Sequence, residues 1–335
     1  MAAADRVLRL AVVGCGDIAR QAHLPAIERS RDVELAGLVD VDEATRTQLG
    51  HRYGVPCAAS VREATAWAPD AAVVATPPEV TPAVTLRLLE LGLPVLCEKP
   101  MAVDVETART LHASAADRGL TVQVGFVNRF SPVIARVRNW LREGRLGAPL
   151  LFLLSSYDER YDPADQEHLN RIMHFLAHGP AFVHEAAHQT DYVFHLGGGR
   201  PVEVSALGMA SLPEFANDNY TAALIRYDNG NVARLEVGWM YPSMPRGDFR
   251  ILGPGGAVHV NRAEGWATLD TPERPERVEL DRPWVEASFD GQLAAFAAAV
   301  RTGRPHGPGT LDGLASLALC REVAAAAALA TGRRA

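Results

Sequence analysis

Glu98-Lys99-Pro100 closes an apolar run, Val95-Leu96-Cys97, so Lys99 is expected at the carboxyl end of a β-strand. Ligands of open α/β sheets bind at that edge. A lysine ammonium held there can stabilise negative charge that develops on a substrate oxygen. A glycine turn, Gly14-Cys15-Gly16, lies far upstream. Together the two elements predict redox chemistry on a hydroxyl or carbonyl group beside a bound dinucleotide.

The segment from Gly14 to Ala19 has the spacing GxGxxA and lies between an expected strand, Val7–Val13, and a helix expected from about Ile18. The first glycine allows a tight turn, and Gly16 lets the backbone approach a pyrophosphate at the helix N-terminus. The alternative is a plain glycine turn without a ligand. The strand–turn–helix setting favours the dinucleotide site.

Asp40 ends a second expected strand, Val33–Val39, and lies 21 residues after Ala19. An acid at this place accepts a hydrogen bond from a ribose 2′-hydroxyl and repels a 2′-phosphate. Val41 and Asp42 follow, and no arginine comes before Arg46. The sequence therefore predicts NAD rather than NADP, with a surface aspartate as the alternative.

The string His184-Glu185-Ala186-Ala187-His188 reads HExxH. On a helix, histidines at i and i+4 share a face and can bind zinc, so a zinc hydrolase is one alternative and an auxiliary metal is another. A neutral imidazole also suits general-base work. Because the string lies within a dinucleotide-enzyme framework, we expect an active-site helix with one catalytic histidine, other histidines in supporting roles, and no bound metal.

Tyr157 lies in an acidic segment, Ser156 to Asp162, that follows an expected strand, Leu150–Ser156. Its acids and tyrosines could receive a hydroxyl-rich or cationic ligand. A solvated loop is the alternative interpretation.

The composition is that of a soluble globular protein. The chain is 48% hydrophobic and 22% charged, with a formal charge of −7. Its length of 335 residues favours two domains. Basic residues form no stripe, so nucleic acid is not an expected partner. The four cysteines form no CxxC pair, no signal-type start is seen, and no apolar stretch is expected to span a membrane, so a reduced, cytoplasmic protein is predicted.

The order of elements predicts an α/β chain with two domains. Strands alternate with helices over residues 1–126, which predicts a Rossmann domain with a parallel sheet that binds NAD. Longer strands follow over residues 127–335, with Asp228-Asn229-Gly230 as a hairpin turn between two of them. This part is expected to be an α+β domain with an open antiparallel sheet that binds substrate and supports oligomerisation.

Several motifs in this order resemble the Gfo/Idh/MocA oxidoreductase family. They are Val13 to Ala19, Ala75 to Pro78, Cys97 to Ala102, Gly125 to Phe130, His188 to Asp191, and, more loosely, Phe296 to Gly303 with Asp312-Gly313. The resemblance covers nearly the whole chain, and its Glu-Lys-Pro element is the most specific part. It implies a Rossmann domain, an open-faced second domain, NAD or NADP as cofactor, and oxidation of a sugar or polyol hydroxyl or the reverse reduction.

The resemblance also implies which residues form the site. The lysine that holds the reacting oxygen maps to Lys99, and the proton-transferring histidine maps to His188. The last acid of the D-x-x-x-H-x-x-D pattern maps to Asp191, but His184 stands where the first acid is expected, which leaves the substrate open. The residues expected to bind the cofactor are Gly14, Gly16, Asp17, Ile18, Asp40, Val41, Ala75, Thr76, Pro77, Glu98, Lys99 and Asn128. Those expected to contact substrate are Lys99, Arg129, Tyr157, His184, His188 and Asp191.

The predicted function is an NAD-dependent dehydrogenase of a secondary hydroxyl or keto group in a sugar, polyol, aminosugar or glycoside. A glycosidase that oxidises its substrate transiently with NAD would share every motif, and a non-catalytic NAD-binding regulator would keep the glycines. A cis peptide bond at Pro100 is a further hypothesis, since it would aim Lys99 inward. The resemblance implies a homodimer or homotetramer.

Overall fold

The computed structural model describes residues 6–245 and 247–330. The helices are α1 (Leu24–Arg29, after a π-helical turn at Ala19–His23), α2 (Glu43–Tyr53), α3 (Val61–Ala64), α4 (Thr81–Glu90), α5 (Val105–Arg118), α6 (Pro132–Arg142), α7 (Gln166–His178), α8 (Ala181–Glu185), α9 (Ala187–His195), α10 (Trp284–Thr302) and α11 (Thr310–Ala330). The strands are β1 (Leu8–Val13), β2 (Val33–Val39), β3 (Cys57–Ala58), β4 (Ala71–Val74), β5 (Val95–Cys97), β6 (Val122–Val124), β7 (Leu151–Asp158), β8 (Pro201–Met209), β9 (Tyr220–Tyr227), β10 (Val232–Trp239), β11 (Phe249–Gly253), β12 (Gly256–Asn261), β13 (Trp266–Asp270) and β14 (Glu276–Glu279).

The chain forms two compact units. One contains residues 6–131 and Val285–Ala315, and the other contains Pro132–Trp284 and residues 316–330. The division expected at residue 126 treated the second domain as continuous. The structure differs because α10 returns to the first unit, where Phe289, Leu293 and Phe296 belong to the same buried core as β1. Local sequence patterns do not show such a return.

The first unit contains a parallel sheet with the strand order β3-β2-β1-β4-β5-β6. All four residues of its central strand β4 are fully buried, as expected for a strand covered on both faces. Side chains cap the helices between them: Asp42 accepts from Thr45 N at the start of α2, and Asp104 does so from Thr107 N at the start of α5. This arrangement confirms the predicted Rossmann domain.

The strand order reverses at β1, because β2 and β4 lie on its two sides. Ligands of such sheets bind beyond the carboxyl ends of the strands at this reversal. Gly14 follows β1 there, and Lys99 follows β5, which pairs with β4. The fold thus brings both predicted motifs to one edge of one sheet.

The second unit contains an eight-stranded sheet with the order β14-β13-β12-β11-β7-β10-β9-β8. The expected antiparallel sheet is in fact mixed, because β7 and β10 pair in parallel over their full length. The predicted hairpin turn joins β9 to β10, and Gly230 has a positive φ of 84° there.

Only one face of this second sheet carries the core of its unit. Alternate residues such as Phe152, Leu235 and Ile251 are fully buried, together with side chains of α6 to α9 and of α11. The opposite face keeps three large apolar side chains exposed: Leu207 at 66%, Leu224 at 54% and Met209 at 48%. Large apolar side chains left exposed together on an open sheet face are typical of a surface that binds another protein chain.

Within the described residues, α11 is long and apolar enough to cross a membrane by length and composition alone. This corrects the expectation that no such stretch exists. The helix nevertheless buries Leu319, Cys320 and Val323 in the core of the second unit, as a core helix of a globular protein does.

Candidate active site

The glycine turn after β1 has the geometry that a dinucleotide site requires. Gly14 has a φ of +90°, and a Cβ added to it would lie 2.5 Å from the carbonyl oxygen of Ala75. A Cβ on Gly16 would meet no atom within 4 Å, so the space beside this glycine is open. The helix that follows begins here, and its first N–H groups lack intrahelical partners, which suits a pyrophosphate.

Asp40 is joined to this turn by its carboxylate. One oxygen accepts from the backbone N–H of Cys15 at 2.7 Å, and the other accepts from Asp42 N at 2.9 Å. Nearby apolar side chains are exposed, with Val41 at 88% and Ile18 at 39%. An anchored acid, exposed apolar side chains and an open glycine turn fit the ribose, the adenine and the pyrophosphate of NAD.

The remaining predicted cofactor residues have defined places in the first unit. Asp17 forms an exposed ion pair with Arg20 at 2.8 Å. Ala75 N donates to Val13 O, and the Thr76 hydroxyl lies 2.9 Å from that of Thr81, so the segment after β4 is tied to β1 and to α4. Pro77 lies in the same turn, because its carbonyl accepts from Thr81 N.

Lys99 is half-buried at the carboxyl end of β5, and the Lys99–Pro100 peptide bond is cis, as hypothesised. Lys99 is also the only lysine in the 335 residues, and all the other residues counted as lysine or arginine are arginines. Arginine is held protonated, whereas a lysine amine can change its protonation state and has a compact ammonium. That Lys99 is the single lysine is a signal present in the sequence, and the motifs alone do not reveal it.

Glu98 was expected to bind the cofactor. In the structure one carboxylate oxygen lies 2.8 Å from His23 Nε2, and the other accepts from the backbone N–H of Lys99 at 3.1 Å. His23 was not among the predicted site residues, although it lies in the helix that follows the glycine turn.

The two residues predicted after β6 differ in their surroundings. Asn128 is buried, with 3% of its surface exposed. Arg129 donates to Asp312 at 2.8 Å and its guanidinium lies over the ring of Phe126. Arg129 is thus part of an ion pair within the first unit, which does not support the predicted contact with substrate.

Two buried cysteines lie close to these motifs, Cys15 within the glycine turn and Cys97 two residues before Lys99. Burial, followed by the Asp40 carboxylate, raises the pKa of Cys15 to about 12. Burial, followed by the Glu98 charge, raises the pKa of Cys97 to about 12. Both remain thiols at neutral pH, so neither is suited to act as a nucleophile.

The second unit holds the predicted histidines. His188 and Asp191 are one turn apart in α9, and Asp191 is only 2% exposed. The neighbouring residues fix the helix: Gln189 donates to the Glu236 carbonyl at 2.9 Å, and the Thr190 hydroxyl lies 2.7 Å from that of Ser316. The helix is therefore anchored to β10 and α11 by the two residues that follow His188.

His184 lies in α8 and is packed among aromatic rings. Its ring stacks on Trp239 with centroids 5.8 Å apart and approaches Phe175 at 5.7 Å. Ala186 interrupts the helix between His184 and His188, which belong to separate helices. The HExxH string therefore does not form the single regular helix on which the zinc interpretation depended.

Tyr157 is on the other face of the second sheet. It is paired with Gly238, whose neighbours Val237 and Trp239 point into the core, so Tyr157 points away from the core and its helices. Its hydroxyl donates to the Glu236 carboxylate, which also accepts from Tyr220 at 2.8 Å. Burial and the bond to Glu236 raise the pKa of Tyr157. This position does not support the predicted substrate role for Tyr157.

Comparison with known proteins identifies the family. A family described as "Oxidoreductase family, NAD-binding Rossmann fold" matches residues 8–126, and the "GFO/IDH/MocA C-terminal domain" matches residues 134–259. A myo-inositol dehydrogenase from Streptomyces leeuwenhoekii is 33% identical over 243 residues, covering 70% of this chain and 71% of that protein. The chain belongs to the GFO/IDH/MocA oxidoreductase family. An inositol 2-dehydrogenase from Rhizobium meliloti (strain 1021) is 24% identical, covering 93% of this chain and 94% of that protein.

Solved structures share the fold of this chain. A putative myo-inositol dehydrogenase from Sinorhizobium meliloti 1021 has a TM-score of 0.82 at 22% identity and covers 97% of this chain and 98% of that one. The WlbA dehydrogenase from Bordetella pertussis, in complex with NADH and UDP-GlcNAcA, has a TM-score of 0.80 at 22% identity and covers 96% of each chain. The predicted family, fold class and NAD cofactor are confirmed, and the protein is an NAD-dependent oxidoreductase.

Proposed function

We propose that this oxidoreductase is a dehydrogenase of a secondary alcohol in a polyol or sugar, with Lys99 holding the reacting oxygen and His188 exchanging its proton. The observation that carries the proposal is the position of the chain's only lysine. It follows β5, one strand from β4 and two from β1, at the edge where the glycine turn lies.

Oxidation of an alcohol in this way requires two protein groups. Oxidation of an alcohol removes a hydride from carbon and a proton from oxygen, which leaves a carbonyl. NAD, when bound, takes up the hydride. The Lys99 ammonium stabilises the charge that grows on the oxygen as the proton leaves. His188, as a neutral imidazole, accepts that proton and returns it in the reverse reduction.

His184 and Asp191 support His188 in this proposal. Asp191 is buried one helical turn from His188, where a carboxylate favours a protonated imidazole. His184 replaces the expected acid with a ring held against Trp239, so it contributes an aromatic and hydrogen-bonding surface rather than a fixed negative charge. We expect this difference to affect the choice of substrate more than the reaction class.

A cyclic polyol is the first substrate to test. Several relatives that align with 93% of this chain are named inositol 2-dehydrogenases. We further propose a cytoplasmic homodimer or homotetramer, and a substrate-binding role for the part after residue 126. The exposed apolar side chains of β8 and β9 support the oligomer, which light scattering tests directly.

The test is a panel of inositols, sugars, aminosugars and glycosides with NAD, followed by the absorbance of NADH. Lys99→Arg is expected to lower kcat by about 10²–10³, the usual cost of losing an oxyanion-stabilising group. His188→Asn is expected to lower kcat by about 10²–10⁴. His112→Gln, at a histidine hydrogen-bonded to Thr310, is the control and should leave kcat unchanged.

Two outcomes would contradict the proposal. One is a substrate that reduces NAD equally well with Lys99→Arg. The other is cleavage of a glycoside without net release of NADH, which would identify a glycosidase that uses NAD transiently.

A further inference from the structure

The Glu98 carboxylate is enclosed by three parts of the first unit. His23 Nε2 lies 2.8 Å from Oε1, and the backbone N–H of Lys99 donates to Oε2 at 3.1 Å. A Cβ added to Gly125 would lie 2.9 Å from Oε2, so the carboxylate occupies the space that a larger residue at position 125 would need. The Glu98 side chain is 12% exposed and the His23 side chain 3% exposed.

A carboxylate as buried as this one keeps its place only if its oxygens are hydrogen-bonded. An ionised carboxylate accepts and does not donate, so the proton in the contact with His23 belongs to Nε2. His23 thus satisfies one oxygen and Lys99 N–H satisfies the other. Removal of the His23 donor leaves Oε1 buried without this partner, and a rotation of the carboxylate towards another donor would weaken its bond from Lys99 N–H.

His23 is itself fixed by its surroundings. It is the last residue of the π-helical turn Ala19–His23, in the helix that starts at the glycine turn. Its ring meets Phe289 edge-on, with centroids 5.0 Å apart and planes at 87°. π-helical turns inside helices occur frequently at functional sites, because the extra residue redirects side chains. Here the turn directs a histidine to the residue before the lysine.

We propose that His23 is a positioning residue that acts through Glu98 to hold the backbone of Lys99, and so couples the helix of the cofactor turn to the lysine. Its importance for the reaction rests on the proposed role of Lys99. The hydrogen-bonded chain from His23 to Lys99 N–H does not depend on that role and can be tested separately.

The uniqueness of Lys99 provides a direct measurement. Protein labelled only with [¹⁵N]lysine gives a single backbone amide signal in a ¹H–¹⁵N correlation spectrum, and that amide is the donor to Glu98. His23→Gln places an amide donor near the position of Nε2, whereas His23→Asn is one methylene too short. We expect the Lys99 amide signal to keep its position in H23Q. In H23N we expect its proton chemical shift to move upfield, because the amide hydrogen bond to Glu98 is weakened.

Two further proteins test specificity. His112→Ala, which removes a histidine hydrogen bond of equal length elsewhere in the unit, should leave the Lys99 signal unchanged. In a Glu98→Gln background, H23N should add little to the shift that E98Q causes, because His23 acts through Glu98. If H23N does not fold, His23→Met, which is apolar and of similar length, takes its place.

Kinetics then connect the contact to the reaction. H23N is expected to lower kcat by about 10–100-fold, since a shift of 1 Å in a positioning group can cost 10²-fold, while the KM for NAD changes little. H23Q should recover most of kcat. A Lys99 signal that is unchanged in H23N, or equal losses of kcat in H23N and H23Q, would overturn the proposal. Absence of dehydrogenase activity in the wild-type protein would overturn the proposed function while the amide signal still reports on His23.

Discussion

Gly125→Ala is expected to disturb the site through one methyl group. The new Cβ would lie 2.9 Å from Glu98 Oε2, 3.1 Å from Glu98 Cδ and 3.2 Å from Glu98 Cα. The carboxylate cannot turn away without loss, because His23 and Lys99 N–H hold its two oxygens. Glu98 Cα is backbone, and Gly125 N donates to Cys97 O at 2.7 Å, so the two segments cannot simply separate.

The magnitude follows from these distances. Extra atoms in a well-packed site cost about 1–3 kcal/mol. Replacing glycine by alanine returns about 0.4–1 kcal/mol by restricting the unfolded chain. The net loss is about 1–2 kcal/mol, which for a unit of this size lowers Tm by about 2–8 °C. We also expect kcat to fall by about tenfold or more, because the overlap pushes the Lys99 backbone.

Thermal unfolding and NADH production measure the two effects. Gly309→Ala is the matched control, since a Cβ there would meet only Val122 O at 3.8 Å, an ordinary contact. G309A should match or slightly exceed the Tm of the wild-type protein. A G125A protein with unchanged Tm and unchanged kcat would show that Glu98 is not held as tightly as the geometry indicates.

Three other predictions follow from single contacts. Glu276 accepts from Arg145 at 2.7 Å and from two further donors, and these hydrogen bonds lower its pKa from 4.5 to about 2. Glu276→Gln should therefore lower Tm at neutral pH. The difference in Tm between this variant and the wild-type protein should disappear as the pH falls from 4.5 towards 2. Tyr157→Phe should lower Tm slightly by removing a donor to Glu236 and leave kcat unchanged, and a large loss of kcat would restore Tyr157 to the substrate site. Asp40→Ser should weaken NAD binding and raise the relative use of NADP, measured as the ratio of kcat/KM values.

Local patterns in the sequence predicted most of the elements that carry the site. The expected strands Val33–Val39 and Val95–Cys97 have these bounds in the structure. Such elements can be predicted because a buried parallel strand is a short apolar run and because helix ends carry local signals, such as Gly119 at the end of α5.

Contacts between residues that are distant in the chain could not be predicted from local sequence patterns. The parallel pairing of β7 with β10 joins segments that are about 80 residues apart, and neither strand differs in pattern from an antiparallel one. The site residues show the same limit. Tyr157 looked like a substrate residue because it lies in an acidic segment, but sheet register turns its side chain to the face away from the core.

The sequence by itself determined the glycine turn, Asp40 and the single lysine at the end of β5, because each depends on residue type and local spacing. Only the tertiary structure decided that α10 completes the first unit, that Arg129 pairs with Asp312, and that His23 holds Glu98. Those contacts join residues far apart in the chain. They depend on which side chains the packed core brings within hydrogen-bonding distance, a property that no local window of residues contains.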